Sequence, residues 1–309
     1  MTKKILTYVA LVGGGPACLT AAIQLIRSGI EVSVVTEQIG GTIRNANLVE
    51  NLVGFPKGIS GEDYVELMEK QLENNEIPII RERVKLISLE KEHYVIYTEE
   101  SEIHSEYLII GTGSKPSKLG INGEEEAFKK NKLFYENFNA RKVARGKEIT
   151  VIGSGDVAYD YSLNLSKIAK KITIIQRSEE TKSLPILQKR VEEDKKINIV
   201  TSKIPYEIFT EEERIVLAIQ TDKEIVEIQS DLILVAIGRE PNIEFLSEAL
   251  QEEYENPKED SKLYFVGDVK KGNFRQISIA VGDGMKAAME IVKKLSKKEN
   301  YNGTSRQVW

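Results

Sequence analysis

Two short glycine-rich segments of this 309-residue chain have the residue types and the spacing that dinucleotide binding requires. Residues 13–18 read Gly-Gly-Gly-Pro-Ala-Cys, and residues 153–158 read Gly-Ser-Gly-Asp-Val-Ala. In such loops the glycines form a tight turn and let the backbone approach a pyrophosphate, which lies at the N-terminus of the following helix. Cys18 takes the place of the third glycine of the first loop, the position that normally lets the helix approach the strand.

The residues around the first loop predict the strands and the helix that would position it. Residues 5–12 are apolar except for Thr7, as in a parallel strand that is buried on both faces. A helix over residues 19–28 and a strand over residues 31–36 follow. This second strand leads into Glu37, whose carboxylate suits the hydroxyl groups of a ribose.

The same order of elements recurs around the second loop. A strand is predicted over residues 148–152, a helix over 159–168 and a further strand over 171–176. A glycine turn between a strand and a helix is the context in which this motif binds nucleotides, and two such units are harder to explain as plain turns than one. The sequence therefore predicts an α/β fold with two Rossmann-like dinucleotide-binding domains.

Further elements link and complete these two domains. Strands predicted over 103–113 and 231–238 end in glycines and return the chain from one domain to the other. A third strand, over 262–268, ends in an acidic residue beside a long helix predicted from 275 to 295, where a carboxylate suits a ribityl hydroxyl better than a phosphate. The polar residues 251–262 are predicted to form a solvated loop.

Composition excludes several classes of protein. The length suits about two domains, and the net charge of −5 leaves no overall basic footprint for nucleic acid. No apolar run approaches the roughly 18–20 residues that span a bilayer. The single cysteine excludes a disulfide framework, a cysteine-based metal cluster and an internal Cys-x-x-Cys pair, and the two histidines form no metal-ligand pattern. The apolar run after Lys4 leads into the glycine loop, so we interpret it as a buried strand of a cytoplasmic protein and not as a signal peptide.

Taken in order along nearly the whole chain, a set of motifs resembles the low-molecular-weight thioredoxin reductase family of two-domain flavoproteins. The matching stretches are Gly13–Ala17, Gly40–Ile43, Val49–Asn51, Gly54–Pro56, Gly58–Gly61, Gly111–Gly113, Gly153–Ala158, Gly238–Arg239, Pro241–Asn242, Gly267–Val269, Arg275–Ile277 and Ala280. The resemblance implies an FAD-binding domain built from residues 1–115 and 245–309. An NAD(P)-binding domain of residues 116–244 is inserted into it, and the family implies a homodimer.

The resemblance also implies which residues bind each cofactor. The residues expected to hold FAD are Gly13, Gly15, Pro16, Ala17, Glu37, Gly41, Thr42, Ile43, Asn51, Val84, Thr112, Gly113, Gly267, Asp268, Arg275, Gln276, Ile277 and Ala280. The residues expected to hold NADH or NADPH are Gly153, Gly155, Asp156, Val157, Ala158, Arg177, Lys182, Ile237, Gly238 and Arg239.

One departure from the family concerns its redox dithiol. Thioredoxin reductases carry Cys-x-x-Cys shortly before the second glycine loop, and the corresponding residues 133–139 contain no cysteine. The resemblance then implies an NAD(P)H oxidoreductase of the NADH oxidase or diaphorase type, which passes electrons from reduced flavin directly to oxygen or another acceptor. One alternative is a ferredoxin–NAD(P) reductase of the thioredoxin reductase-like type, favoured by the basic residues of segment 129–147, which would attract an acidic carrier. The other is a non-catalytic flavin-binding redox sensor.

A second departure concerns the coenzyme. NADPH-specific members resemble His-Arg-Arg-x-x-x-Arg after the second strand of the inserted domain, where arginines bind the 2′-phosphate. Residues 176–182 read Gln-Arg-Ser-Glu-Glu-Thr-Lys, so we expect NADH to be used, alone or alongside NADPH. The sequence leaves open the physiological acceptor and the direction of electron flow. It also leaves open a redox role for Cys18 and a flavin-stacking role for Trp309 or Tyr301.

Overall fold

The protein is described by a computed structural model that covers residues 2–211, 213–220, 224–270, 272 and 274–302, with side chains to residue 297. Its contacts divide the chain into two compact units. The first unit comprises residues 1–43, 50–114 and 241–309, and the second comprises 44–49 and 115–240. The short segment 44–49 therefore groups with the second unit although the chain on both sides of it belongs to the first.

The strands, in chain order, are β1 (Lys3–Val12), β2 (Val32–Val35), β3 (Ile79–Ile80), β4 (Leu86–Glu90), β5 (His93–Tyr97), β6 (Ser101–Ile110), β7 (Ser114–Pro116), β8 (Leu133–Phe134), β9 (Glu148–Ile152), β10 (Lys171–Ile175), β11 (Ile197–Val200), β12 (Ile204–Glu211), β13 (Arg214–Gln220), β14 (Ile225–Ser230), β15 (Leu232–Val235), β16 (Arg239–Pro241) and β17 (Leu263–Phe265).

The α-helices are α1 (Pro16–Arg27), α2 (Gly61–Asn74), α3 (Glu124–Lys129), α4 (Asn137–Arg141), α5 (Asp156–Ser166), α6 (Pro185–Glu193), α7 (Glu248–Glu255) and α8 (Ile277–Asn302). Two short 3₁₀ helices span Gly41–Asn45 and Gly267–Val269.

The first unit is built on a seven-stranded sheet in the order β3-β2-β1-β6-β5-β4, with β17 also paired to β6. Strands β3, β2, β1, β6 and β17 form the parallel part of this sheet. Strand β5 pairs antiparallel with β4 and with the first half of β6. The chain moves outward from β1 to β3 and then returns to β6 on the other side of β1. Ligands bind at the carboxyl ends of the strands where the order reverses in this way, so this edge is the one that the first glycine loop should occupy.

The second unit repeats this arrangement. Its five-stranded parallel sheet has the order β11-β10-β9-β15-β8, with β9 between its two branches. A separate antiparallel sheet of β12, β13 and β14 packs apolar side chains into the same core as β8 and β15. The two Rossmann-like units that the sequence predicts are confirmed as β1-α1-β2 and β9-α5-β10.

Two helices begin earlier than the apolar pattern indicates. Helix α1 begins at Pro16 and not at Leu19, and α5 begins at Asp156 and not at Tyr159. In both cases the last glycine of the loop is the N-cap, so the helix takes in the remainder of the glycine motif.

The prediction of a solvated loop over residues 251–262 is wrong in its first part. Helix α7 covers Glu248–Glu255, and Leu250 and Tyr254 on it are buried. These two residues are four positions apart, the spacing that puts them on one face of a helix. The many acidic residues between them hide this weak apolar pattern.

The first glycine of each loop lies against the backbone of a neighbouring strand connection. A Cβ on Gly13, where φ is +127°, would lie 2.3 Å from the carbonyl oxygen of Gly111, directly after β6. A Cβ on Gly153, where φ is +149°, would lie 2.2 Å from the carbonyl oxygen of Ala236, directly after β15. Both positions therefore require glycine for space and for backbone conformation.

The third position of each loop is matched to the same neighbour. In the first unit, Cys18 faces Gly111, whose own Cβ would lie 2.5 Å from Cys18 Sγ. In the second unit, Ala158 occupies the third position, and the residue directly after β15 is Ala236 where the first unit has Gly111 after β6. The first unit thus accommodates a larger third residue because the residue opposite it lacks a side chain.

Helix α8 packs closely against the start of α1. A Cβ on Gly284 would lie 2.0 Å from the carbonyl oxygen of Ala17, whereas a Cβ on Gly282 would meet no described atom within 4 Å. Glycine at 284 therefore sets the distance between the two helices, and glycine at 282 does not.

We expect Gly284→Ala to lower the free energy of unfolding by about 1–3 kcal/mol, because the added methyl group must push α8 away from Ala17. The matched variant Gly282→Ala should instead raise it by about 0.5–1 kcal/mol, since alanine is the better helix former in open space. Urea unfolding of both variants gives the comparison. Equal effects of the two substitutions would show that the contact between the helices does not depend on Gly284.

We also expect Gly111→Ala to destabilise the fold by about 1–3 kcal/mol through its contact with Cys18 Sγ. In the Cys18→Ala background the same substitution should cost less, and the coupling energy should exceed about 0.5 kcal/mol. Rescue should be partial because Val266 Cγ2 would still lie 3.1 Å from the new Cβ. A double-mutant cycle by urea unfolding measures this coupling, and strictly additive effects would contradict it.

Candidate functional site

The first glycine loop leaves the N-terminus of α1 open. Gly15 is the N-cap, and no described side chain caps it. A Cβ on Gly15 would meet no described atom within 4 Å, so there is free space beside the first helical N–H groups. Unpaired N–H groups and the positive end of the helix dipole together favour an anion there. The loop thus fits a dinucleotide pyrophosphate.

Segments that are distant in the chain meet around this helix terminus. The Gly40 N–H donates to the Gly14 carbonyl oxygen at 2.7 Å, and a Cβ on Gly41 would lie 3.7 Å from Gly15 Cα. From the other end of the chain, a Cβ on Gly267 would lie 3.0 Å from Ala17 Cβ. The structure thus brings three of the predicted FAD-binding stretches together at the start of α1.

Two further predicted FAD contacts meet through their side chains. Asn51 Nδ2 donates to Gln276 Oε1 at 2.8 Å, and Gln276 directly precedes α8. Thr112 Oγ1 donates to the carbonyl oxygen of Asn242 at 2.7 Å. This bond joins the residues that follow β6 to the residue that follows β16. These pairs lie in the first unit.

The other predicted FAD residues occupy varied places in the first unit. Glu37 is exposed two residues after the end of β2, and Val84 packs against the core that contains Val12 and Val35. Asp268 lies in the 3₁₀ helix Gly267–Val269, and Arg275 is half-buried before α8.

One residue that positions this region was not singled out from the sequence. Asp283 on α8 accepts a hydrogen bond from the Gly267 N–H at 3.1 Å through Oδ2 and one from Lys270 Nζ at 2.9 Å through Oδ1. It thus holds the turn that carries Asp268. The available signal was an acidic residue between two glycines, Gly282 and Gly284, within a predicted helix.

The second glycine loop is also open at its helix terminus. Gly155 is the N-cap of α5, and a Cβ there would meet no described atom within 4 Å. The chain after β10 folds back onto this loop. The Ser154 carbonyl oxygen accepts from Thr181 Oγ1 and from the Lys182 N–H, both at 2.9 Å, and Asp156 Oδ1 accepts from the Leu184 N–H at 2.7 Å.

The charged side chains of this folded-back segment face solvent, whereas Gln176 at its start does not. Gln176 is buried and donates through Nε2 to the hydroxyl of Tyr159 at 2.7 Å. Arg177 and Lys182 are exposed, and the exposed Glu179 and Glu180 lie between them in the chain. The two predicted coenzyme cations therefore share their segment with two anions.

Residues 133–139, the segment that the resemblance matches to the family's dithiol, form β8 and the start of α4 and carry a network around Glu136. One carboxylate oxygen of Glu136 pairs with the Arg239 guanidinium at 3.0 Å. The other accepts from Asn45 Nδ2 at 2.5 Å and from the Tyr161 hydroxyl at 3.4 Å. Burial, together with the Glu136 charge, raises the pKa of Tyr161, which keeps this hydroxyl protonated as a donor. Arg239, a predicted coenzyme contact, is thus engaged by Glu136.

A second carboxylate lies close to this network in the same unit. Asp160 on α5 accepts a hydrogen bond from the Asn47 N–H at 3.0 Å. Burial raises the pKa of the Asp160 carboxyl to about 6, although the hydrogen bond from Asn47 and the charge of Lys167 act in the opposite direction.

The only cysteine of the sequence lies inside the core of the first unit. Cys18 is fully buried, and its Sγ contacts the Val12 carbonyl oxygen at 3.5 Å. Burial raises the pKa of the Cys18 thiol to about 12. Because the thiolate is the reactive form of cysteine, a buried thiol with this pKa is a packing group.

Acidic side chains that lie outside segment 129–147 partly neutralise its basic residues. Lys129 and Lys130 pair with Glu125 and Glu126 one helical turn earlier, at 2.8 and 2.5 Å. Lys147 lies 4.0 Å from Asp231. The segment is therefore less positive than its own composition suggests. Trp309, a candidate for stacking on the flavin, lies outside the described residues, as does the side chain of Tyr301, the other candidate.

Two negative findings apply to the part of the chain that the structure describes. No helix there is both long enough and apolar enough to cross a membrane. No group of three or more His, Cys, Asp or Glu side chains there could hold a metal ion.

Two curated proteins are similar to this chain over nearly its full length. The chain is 31% identical over 293 residues to the 34.2 kDa protein in rubredoxin operon of Clostridium pasteurianum, covering 91% of this chain and 94% of that one. It is 28% identical over 317 residues to the thioredoxin reductase of Rickettsia felis, covering 95% and 100% of the two chains.

Among solved structures, thioredoxin reductase from Lactococcus lactis matches with a TM-score of 0.84 at 29% identity, over 94% of this chain and 99% of that one. The enzyme from T. acidophilum matches with a TM-score of 0.83 at 28% identity and the same coverage. The model of the pyridine nucleotide-disulphide oxidoreductase family matches residues 7–284. With two glycine loops of matching geometry and relatives that align over nearly its full length, the chain belongs to the pyridine nucleotide-disulphide oxidoreductase family and has the thioredoxin reductase-like fold, as its motifs predict.

Proposed function

We propose that this oxidoreductase takes electrons from NADH or NADPH and passes them from its flavin directly to oxygen or another acceptor, without a dithiol relay. The observation that carries the proposal is the ion pair between Arg239 and Glu136, which lies in residues 133–139, where the resemblance places a redox-active cysteine pair. Cys18 offers no substitute, because it is buried and its pKa is raised to about 12.

The family uses FAD and NAD(P)H, and we propose that each unit binds one of them. In this proposal the first unit holds FAD through the loop 13–18, the Gly41–Ile43 turn, the Asn51–Gln276 pair and Asp268. The second unit holds the coenzyme through the loop 153–158 and the segment after β10. Bound FAD supplies two-electron exchange with a nicotinamide and one- or two-electron exchange with an acceptor.

The chain's own contribution is to position and stabilise these groups. The open N-termini of α1 and α5 supply N–H donors to two pyrophosphates. The start of α8, directly after Gln276, supplies a helix dipole that favours negative charge on the flavin side. We further propose a cytoplasmic homodimer, as the resemblance implies, which sedimentation of the purified protein would test.

The acceptor is the open part of this proposal, and one relative favours an electron-carrier protein. The Clostridium pasteurianum relative is named for its place in a rubredoxin operon. A small one-electron carrier of this kind is therefore a second candidate acceptor besides oxygen. The ferredoxin–NAD(P) reductase alternative is less favoured than the sequence suggests, because Lys129, Lys130 and Lys147 of the basic segment have acidic neighbours.

Anaerobic titration with NADH and, separately, NADPH tests the core of the proposal. We expect the visible flavin absorbance to be lost with NADH, and to return when air is admitted. Repeated turnover with oxygen, rubredoxin or ferredoxin would identify the acceptor and exclude a sensor that reacts once. A flavin that neither coenzyme reduces would overturn the proposal, and so would efficient reduction of thioredoxin.

The coenzyme preference can be tested at Ser178, which is exposed and donates only to the Glu180 carbonyl oxygen among the described residues. Ser178→Arg supplies a guanidinium for a 2′-phosphate and should lower the KM for NADPH by about 10- to 100-fold, the range of one charged hydrogen bond. The KM for NADH should stay within about twofold. Ser178→Ala is the matched control, and an equal change for both coenzymes would contradict the assignment of this segment.

A further inference from the structure

The turn that follows β17 carries Asp268, one of the residues proposed to hold FAD. It spans Gly267–Lys270, and within it the Lys270 N–H donates to the Gly267 carbonyl oxygen at 3.0 Å. Asp268 itself is half-buried. One backbone bond does not fix a short turn against the rest of a domain, so the position of the Asp268 carboxylate depends on what holds the turn from outside. Helices α7 and α8, which belong to the same unit as the turn, both do so.

Helix α8 holds the start of the turn through Asp283. Its Oδ2 accepts from the Gly267 N–H at 3.1 Å, and its Oδ1 accepts from Lys270 Nζ at 2.9 Å. The Asp283 side chain is 19% exposed, whereas that of Lys270 is 50% exposed. An ion pair to an exposed lysine contributes little, but a hydrogen bond from a backbone N–H to a carboxylate is strong. The bond from Gly267 is therefore the main constraint on this side.

Helix α7 holds the end of the turn through Tyr254. The Tyr254 hydroxyl donates to the Val269 carbonyl oxygen at 2.8 Å, and both residues are buried. The Tyr254 ring also packs edge-on against Phe265, the last residue of β17, with 4.9 Å between the ring centroids. Tyr254 thus contacts the strand that enters the turn as well as the turn itself.

The turn that these two helices hold lies against the start of α1. A Cβ on Gly267 would lie 3.0 Å from Ala17 Cβ, and a Cβ on Gly284, the residue after Asp283, would lie 2.0 Å from the Ala17 carbonyl oxygen. Asp283 therefore fixes Asp268 relative to the helix terminus that is proposed to bind the FAD pyrophosphate. A site that is ordered before its ligand binds loses less conformational entropy on binding, and its affinity is higher for that reason.

We infer that Asp283 and Tyr254 are positioning residues for FAD binding, because together they hold the turn that presents Asp268 beside the start of α1. This inference rests on the proposed binding of FAD at Asp268. It gives a role in the flavin site to α7, which contributes none of the proposed FAD contacts, and to the part of α8 beyond its first turn.

The test uses the FAD-loaded protein and follows the release of its flavin on dilution by the fluorescence of free FAD. Asp283→Ala removes the acceptor of the Gly267 N–H, so we expect the FAD dissociation constant to rise about 10- to 100-fold, as for other hydrogen bonds to a charged group. Asp283→Asn keeps an acceptor oxygen and gives up only the pair with the exposed Lys270. Its constant should stay within about threefold of that of the unmodified protein.

Tyr254→Phe keeps the packed ring and removes the hydroxyl, so it should raise the constant about 2- to 10-fold, the range of a neutral hydrogen bond. Glu290→Ala is the matched control, because Glu290 is an exposed acidic residue of α8 whose carboxylate pairs with Lys286 at 3.9 Å. It should change the constant by less than about twofold. Melting temperatures at saturating FAD should agree within a few degrees for all variants, which separates positioning from general unfolding.

A double-mutant cycle with Asp268→Ala shows whether Asp283 acts through Asp268. In the Asp268→Ala background, Asp283→Ala should raise the constant by less than about threefold, because the group that it positions is already absent. Additive effects of the two substitutions would overturn the inference. Normal FAD release from Asp283→Ala would do the same, as would equal losses of affinity in Asp283→Ala and Asp283→Asn.

If Asp283→Ala does not fold, the same cycle with Tyr254→Phe gives the comparison, and additive effects there would overturn the inference equally. Normal FAD release from Asp268→Ala would instead overturn the placement of FAD on which the inference rests. An unmodified chain that takes up no FAD would remove the proposed function itself.

Discussion

The arrangement of both units depends on one constraint, the absence of a Cβ at the first glycine of each loop. At Gly13 and Gly153 a side chain would lie within 2.3 Å of a carbonyl oxygen in the neighbouring strand connection. Only without it can the backbone turn directly from the strand into the helix, so that Gly15 and Gly155 become N-caps facing open space. The anion-binding ends of α1 and α5 are therefore consequences of close backbone packing several residues earlier.

The local part of this arrangement could be predicted from the sequence. The strand over 148–152 matches β9, and the two glycine loops lie where their motifs predict. The apolar pattern puts the starts of α1 and α5 too late, because the glycine motif itself forms the first turn of each helix. The pattern does not reveal α7, because acidic residues separate Leu250 from Tyr254. The Asn45–Glu136 contact joins positions 91 residues apart and leaves no periodic signal in the sequence.

The Glu136 network defines what the dithiol-equivalent segment can do. A carboxylate paired with a guanidinium has no redox chemistry at biological potentials, and the contacts of Glu136 orient its partners. Arg239, Asn45 and Tyr161 all contact this one group, from the start of β16, from the segment after Ile43 and from α5. Removing the Glu136 carboxylate would leave the mostly buried Arg239 charge without this partner, which is costlier than losing the pair's own attraction. The segment is thus committed to a structural role that a cysteine pair could not fill.

The proposed coenzyme segment, residues 176–182, shows the opposite balance, with a backbone held by the loop 153–158 and charged side chains that are exposed. Hydrogen bonds from Thr181, Lys182 and Leu184 to Ser154 and Asp156 of the loop 153–158 set its course and use no charged side chain of the segment. A change of side chain here therefore alters charge without moving the chain. Arg177 and Lys182 are offset by Glu179 and Glu180, and a 2′-phosphate that carries nearly two negative charges gains little from a segment with no net charge. NADH, which lacks that phosphate, loses nothing at the same surface, so in the proposed function the choice of coenzyme depends on side-chain charge and not on the fold.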